Sequence, residues 1–232
     1  MNDTVWTYWE GPRPAYIVLC LGTMQRVLGD RFRLVTPTTI SNYLPIDALH
    51  PRWRKLDQPA LRADCIRAAL LAVHGGWWWD ADTIALKPPK LEGSVHYMTW
   101  TKPPRRILNG YIHLTKELAK PWLHMVNDSL ASRKIDWCDL GEKLLTNHLS
   151  SLPEAIEIPR RMCLPIDIDS SVEKFFRYGH ATEYIEGDTV CFGLNHSYFM
   201  YHHKKEMELP ASQWASSPLL IHTLLHHAKI NK

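Results

Sequence analysis

Two carboxylates one residue apart, Asp80 and Asp82, close an unusual run, HGGWWWDADTIALKPP, from His74 to Pro89. Carboxylates at i and i+2 point to one face of a regular strand. Where a strand gives out and the chain turns, the second can instead reach a bound ion, directly or through water. Hard divalent cations take oxygen ligands, and one or two carboxylates suffice when substrate phosphates and water complete the shell. The chemistry implied is therefore a divalent ion held against a diphosphate. Taken alone, Asp-x-Asp also describes many turns and solvated pairs, and three tryptophans describe a core as readily as a ligand platform. The context narrows the choice. The preceding segment, Gln58 to Gly76, carries Asp64 and Arg67 at i, i+3, on one face of a helix that Gly75 and Gly76 stop. An intrahelical ion pair accounts for those two residues by itself, yet it points to the same place in the chain.

The elements that must position these residues follow from pattern. Thr4 to Gly11 is β-branched and aromatic and reads as an opening strand; Ala15 to Gly29 has apolar residues at helical spacing; Phe32 to Pro37 is a second strand. Strand, helix, strand within forty residues suggests a doubly wound parallel sheet, in which ligands gather outside the carboxyl ends of the strands. The tryptophan run begins as a strand and delivers its aspartates where it ends. Ser94 to Trp100 and Ile107 to Leu114 read as strands, Pro121 to Ser132 and Leu140 to Leu152 as helices. Beyond Pro153 the pattern weakens to short strands around "AIEIP" and "TEYIE" and a His-rich end. A single domain over residues 1–232 is expected, with no internal repeat or linker.

The string "RADCIRAALLAVHGGWWWDADTIALKP" resembles the signature of the Asp-x-Asp glycosyltransferases of the glycosyltransferase 32 group, which includes capsular-polysaccharide and mannosyltransferase-like enzymes and is distantly similar to the clostridial glucosylating toxins. In that family a helix with Asp-x-x-Arg precedes Gly-Gly-x-Tyr-x-Asp-x-Asp. "VWTYWEGP" resembles the family's opening strand, "ILNGYIHLTKELAKPWL" a later strand and helix, and "DLGEKLLTNHL" a Gly-Pro-x-x-Leu-Thr segment with Glu142 where proline is usual. "SYFMYHHKKE" looks like the late segment that returns a ligand to the metal.

The resemblance implies a GT-A-like (Rossmann-like) α/β fold, a mixed and mostly parallel sheet flanked by helices. Residues 1–115 would form the nucleotide-sugar and metal-binding part, and 116–232 the acceptor side and closing segment. It implies a metal-dependent glycosyltransferase, retaining, taking a sugar from a nucleotide donor to a glycan or other hydroxyl acceptor. Family habit favours a UDP-sugar, with a GDP-sugar possible. Asp80 and Asp82 would hold Mn2+ or Mg2+ against the donor diphosphate as the catalytic pair, with His202, or His203 beside it, as a further metal contact. Thr7, Trp9, Asp64, Arg67, Trp78, Asp80, Ala81, Asn109 and Gly110 would line the donor site, Trp9 stacking on the base. Trp78 stands where the family has tyrosine, and indole cannot accept a hydrogen bond as a phenol does. Asp139 and Glu142 lie in a segment that could face the acceptor, though solvated or capping roles suit both and Asp139 is placed to cap the helix after it.

Composition sets outer bounds. A formal charge of +3, with 27 basic against 24 acidic residues, gives no reason to expect a nucleic-acid partner. Five widely spaced cysteines argue for reduced thiols rather than a disulfide framework or a zinc site, and the N-terminus lacks a signal-peptide pattern; a cytoplasmic protein without a membrane span is the expectation. His222, His226 and His227 fit a closing amphipathic helix better than a zinc site, since no cysteine or carboxylate accompanies them. "KPPRR", Lys102 to Arg106, reads as a charged turn. A dehalogenase-type phosphatase would carry its Asp-x-Asp on the first strand, and a nucleotidyltransferase would need a basic glycine-rich loop near the start, which "EGPRPAY" is not. The strongest rival is a calcium-dependent, non-catalytic sugar-binding protein, because tryptophans stack on pyranoses and calcium takes carboxylates and hydroxyls.

Overall fold

The computed structural model describes residues 4–90, 93–132, 134–150, 152–167 and 171–230. In chain order the main elements are β1 (Val5–Tyr8), α1 (Ala15–Leu28), β2 (Phe32–Val35), α2 (Pro59–His74), β3 (Gly76–Trp79), β4 (Thr83–Ala85), β5 (Val95–Thr99), β6 (Ile107–Leu114), α3 (Lys116–Ser132), α4 (Leu144–Leu149), β7 (Ala155–Glu157), β8 (Cys191–Gly193), α5 (His196–His202), α6 (Lys204–Met207) and α7 (Leu220–Ile230). They fall into two compact units. Unit one is Met1–Glu10, Arg31–Asp80 and Leu91–Ile158; unit two is Gly11–Asp30, Ala81–Lys90 and Pro159–Lys232.

Unit one is built on a six-stranded sheet of order β2-β1-β3-β6-β5-β7. β2, β1 and β3 run parallel, β6 is antiparallel to both β3 and β5, and β7 is parallel to β5. This is the mixed, mostly parallel sheet expected from the resemblance. The purely parallel arrangement suggested by the opening elements ends at β3, where β6 pairs antiparallel; the short connection from β5 to β6 likewise makes those two antiparallel neighbours. α2 is stopped where the glycines fall: Gly75 has φ 71°, and a Cβ there would meet the Leu114 carbonyl at 3.3 Å and the Lys116 amide at 3.2 Å. The helix therefore ends against the close of β6, and β3 starts at the next residue. α2 contributes Cys65, Ile66, Ala68, Ala69, Leu70 and Leu71 to a core shared with Trp78, Ile112, Leu114, Trp122 and Val126.

Strand alternation sorts the tryptophan triplet. Trp78 faces the side on which α2 packs, whereas Trp77 lies against the rings of His96 and His113 at 5.6 and 5.0 Å. All three tryptophans are buried, so the core reading of the run holds for each.

Unit two holds α1, the β4-β8 antiparallel pair, α5, α6 and α7. α1 buries Tyr16, Ile17, Cys20 and Met24, and Thr23 Oγ1 accepts from the Ala85 amide of β4 at 2.9 Å. α7 is the closing helix expected, with His222 buried and bonded to Ser217 Oγ at 2.6 Å and the Glu206 carbonyl at 2.7 Å. Among the described residues no helix is long and apolar enough to cross a membrane.

Three sequence expectations are corrected. "TEYIE" opens inside a 3-10 helix, Ala181–Tyr184, whose Glu183 side chain accepts from the His180 amide at 3.3 Å, local bonding that a strand would not offer. The helix expected from Pro121 begins a turn and more earlier, at Lys116, with Pro121 inside it. The helix expected over Leu140 to Leu152 opens instead with a π-helical turn, Asp139–Lys143, and becomes α-helical only at Leu144; Ser151 lies outside the described residues.

Candidate active site

In unit one the site grows from α2, β3, β6 and the π-helical turn. Asp64 and Arg67 sit three residues apart on α2, and the Arg67 side chain is almost fully buried. Its Nη2 donates to Asp80 Oδ1 at 2.8 Å and its Nη1 lies 3.3 Å from Asp64 Oδ1. The guanidinium carbon is 4.7 Å from the centre of the Trp78 ring, within cation–π range. Trp78 Nε1 also donates to Asp80 Oδ1, at 2.8 Å. Residues two apart on a strand share a face, which is how Trp78 and Asp80 meet. The Trp78 indole thus makes a polar contact of its own, as donor to the carboxylate.

β6 completes this face. The Asp80 amide donates to the Gly110 carbonyl at 3.0 Å, so strand pairing continues one residue past β3. A Cβ on Gly110 would fall 2.5 Å from Asp80 Oδ2, hence only glycine leaves that carboxylate its position. Asn109 Nδ2 donates to Asp64 Oδ1 at 2.8 Å. A Cβ on Gly141, in the π-helical turn, would lie 2.8 Å from each Asp64 oxygen and closer still to Asn109 Nδ2. Next to it, Glu142 Oε1 accepts from Trp100 Nε1 at 2.8 Å and the carboxylate also accepts from the Cys138 thiol.

Three carboxylates, Asp64, Asp80 and Glu142, therefore interact around one buried guanidinium. Burial, reinforced by the charges of Asp80 and Glu142 and opposed by Arg67 and the Asn109 bond, pushes Asp64 up to about 6. Burial raises Glu142 as well, against its bonds to Trp100 and Cys138 and the charges of Arg106 and Arg67. The Asp80 side chain is 40% exposed, in contrast with the buried arginine it pairs with. Arg67 Nε and Thr7 Oγ1 are buried without a hydrogen-bond partner among the described residues. Trp9, half-buried, follows β1 and donates its amide to the Val35 carbonyl at 3.1 Å.

Two of these residues escaped sequence reading. Trp100 carried no signal beyond its type. Gly141 lay within the recognised segment, but only the fold shows it against Asp64. Asp139 does not cap the following helix as expected. Cys138 occupies the cap position with φ 66°, and Asp139 instead accepts from the Asp136 amide at 3.0 Å and pairs with Lys143 at 2.7 Å.

In unit two, Asp82 is nearly buried, and its Oδ2 accepts from the His196 amide at 2.7 Å while its carbonyl accepts from the Leu194 amide at 3.1 Å. The β4-β8 pairing, Thr83 opposite Gly193, brings the two segments together. His196 Nδ1 is hydrogen-bonded to the Tyr16 hydroxyl. Burial and then the Asp82 charge raise the Tyr16 phenol, and burial lowers His196. Ala81 is buried beside the turn. His202, the expected metal histidine, stands at the far end of α5 from the amide that Asp82 holds, six residues or about 9 Å of helix away. It packs on Tyr198 and Tyr201. His203 stacks on Phe176 at 3.5 Å and pairs with Glu173 at 3.2 Å. The histidine adjoining Asp82 is His196, whose only sequence signal was the Asn195 helix cap in front of it. Among the described residues no group of three or more His, Cys, Asp or Glu side chains is gathered as a metal cluster.

Residues 1–99 match the sequence model of a family described as capsular polysaccharide synthesis protein. That stretch contains β1, α2, β3 and both aspartates. No curated protein matches the chain. Among solved structures it is similar to one titled "PaToxG Glycosyltransferase", at 15% identity and a TM-score of 0.48, over 63% of this chain and 68% of that one. The likeness to the capsular polysaccharide synthesis proteins is thus confined to the first 99 residues.

Proposed function

We propose that the chain transfers a sugar from a nucleotide-sugar donor, a UDP-sugar by preference, to a hydroxyl of a glycan, with retention and with Mn2+ or Mg2+. The observation that carries the reading is the Asp64–Arg67–Asp80 cluster. A buried arginine is fixed between two carboxylates by an indole and an asparagine, and its partner Asp80 reaches solvent. A purely structural ion pair gives no reason for two close-approach glycines, Gly110 and Gly141, on either side of it.

Arg67 contributes a fixed positive charge near developing phosphate charge, and its planar fork suits oxyanions. Asp64 and Asn109 supply acceptors and a donor for sugar hydroxyls, held by their mutual bond. Trp9 would stack on the base, with Thr7 and Ala81 flanking the donor. For the metal, the donor set is two carboxylates two residues apart in the chain, Asp80 and Asp82, and hard oxygen ligands of this kind suit Mn2+ or Mg2+ rather than a soft ion. The bound ion would supply electrostatic stabilisation of the leaving diphosphate. The chain's own part is to hold Asp80 in one orientation, through the Arg67 and Trp78 donors on Oδ1.

The test is a melting experiment with UDP and GDP, each with and without Mn2+, and with Ca2+ plus free monosaccharides. A ligand present at about 100 times its Kd should stabilise by about 2.7 kcal/mol. A Mn2+-dependent rise with UDP supports the proposal. A rise only with Ca2+ and free sugars would replace it with a non-catalytic sugar-binding protein.

A further inference from the structure

We propose that the turn from Trp137 to Glu142 forms the acceptor-sugar subsite: the Trp137 indole stacks on a pyranose of the acceptor glycan, and Glu142 accepts a hydrogen bond from one of its hydroxyls. The inference rests on the donor reading above, and it concerns residues of unit one alone.

The first observation is how firmly the turn is held in an uncommon shape. Cys138, at φ 66°, is the one non-glycine residue with positive φ among the described residues, a conformation that persists only where surrounding contacts enforce it. The π-helical turn follows at once, closed by the Lys143 amide on the Cys138 carbonyl at 3.1 Å. Trp122 Nε1 on α3 donates to the Leu140 carbonyl at 2.9 Å, and Asp139 ties Asp136 and Lys143 to the same turn. Single π-helical turns within helices cluster at functional sites. Here the wider turn sets Gly141 against Asp64 and Asn109 while Glu142 reaches Trp100.

The second observation is the carboxylate itself. Glu142 directly follows Gly141 in the π-helical turn. It is half-buried, and an indole N–H and a thiol both donate to it, which fixes its orientation as a preformed acceptor.

The third is Trp137. The chain has ten tryptophans, and Trp137 alone is exposed, at 56%, while the other nine are buried or half-buried. It directly precedes Cys138, the residue whose thiol bonds Glu142. An exposed indole and a fixed carboxylate carried on one turn offer what a pyranose requires, a π surface for its apolar C–H face and an acceptor for its rim hydroxyls. Glu142 lies within charge range of Asp64, at the side of the proposed donor site.

The experiment uses the whole chain labelled with 5-fluorotryptophan, its Trp137 resonance assigned by Trp137→Phe. UDP with Mn2+ is titrated first, by calorimetry; a wild-type protein that does not bind it fails the donor reading before any sugar is added, and the acceptor role falls with it. The probes are then methyl pyranosides of glucose, galactose, mannose and N-acetylglucosamine, at millimolar concentration with UDP and Mn2+ present. The expected result is that at least one moves the Trp137 signal. Glu142→Gln should then weaken that response severalfold, more than it weakens UDP binding, and Trp137→Ala should abolish pyranoside binding while UDP still binds. If UDP binds but no pyranoside moves the signal, the inference is overturned. It is overturned equally if Trp137→Ala removes UDP binding, because the turn would then serve the donor.

Discussion

Replacing Asp64 by asparagine should make the folded protein more stable at neutral pH and leave it unchanged in mild acid. Burial lifts the Asp64 carboxyl from 3.8 to about 6 in spite of Arg67. The folded state therefore binds this proton more tightly than the unfolded chain does. The stability linked to it is complete below about pH 4 and is lost as the pH rises through about 6. At about 1.4 kcal/mol per unit, the ionised carboxylate costs on the order of 3 kcal/mol above that window. Asparagine carries no charge in either state, and its carbonyl oxygen can still accept the bond that Asn109 now donates to Asp64. Arg67 keeps Asp80 at 2.8 Å as its remaining partner. For a chain of this size each kcal/mol moves Tm by about 2–4 °C, so the variant should melt roughly 6–12 °C higher at pH ~8 and alongside wild type near pH ~4. Melting both proteins across that range by circular dichroism decides the matter. A variant less stable than wild type at the higher pH would refute the reasoning, since Arg67 and Asn109 would then outweigh burial. The same variant should bind UDP and Mn2+ more weakly than wild type, which would mark Asp64 as a group kept for the ligand at the fold's expense.

Gly141→Ala should destabilise the fold by about 1–3 kcal/mol, because the added methyl intrudes on Asp64 and Asn109; chemical denaturation measures this, and an unchanged midpoint would mean that the turn does not press on that pair. Trp9→Ala should weaken UDP binding by about 1–3 kcal/mol, the range of a lost base stack, with little change in melting of the half-buried residue. Equal UDP affinity in calorimetry would leave Trp9 a packing residue only.

Much of the arrangement was legible because local pattern and tertiary contact agree. α2 ends and β3 begins where the Gly-Gly pair stands, and the i, i+3 spacing of Asp64 and Arg67 places both on one cluster. Strand alternation brings Trp78 to Asp80, but nothing in the spacing showed that the indole would be the donor. Contacts set by long-range strand pairing were illegible: His196 reaches Asp82 only because β8 pairs with β4 across more than a hundred residues. The two adjacent histidines of "MYHHKK" drew attention through the resemblance of their segment, and in the fold they meet Tyr198, Phe176 and Glu173. The π-helical turn was read as plain helix because residue types do not distinguish a widened turn from an α-helical one; the deciding contacts come from Trp122 and Asp139.

The chain enters unit two, leaves it and returns, so α1 is synthesised long before the surfaces that cover it. Its Thr23 awaits Ala85, its Tyr16 awaits His196, and its Arg26 bonds the Ala228 carbonyl from 202 residues away. At ~5–20 residues per second a ribosome needs roughly 10–40 s to bridge that gap. During that interval the face bearing Ile17, Cys20 and Met24 is exposed to the cell while β1, α2 and β3 can already begin to assemble. Helper proteins that shield nascent apolar helices should matter to the yield of this protein, and a chain cut short before α7 should be insoluble even when every residue around Arg67 is present.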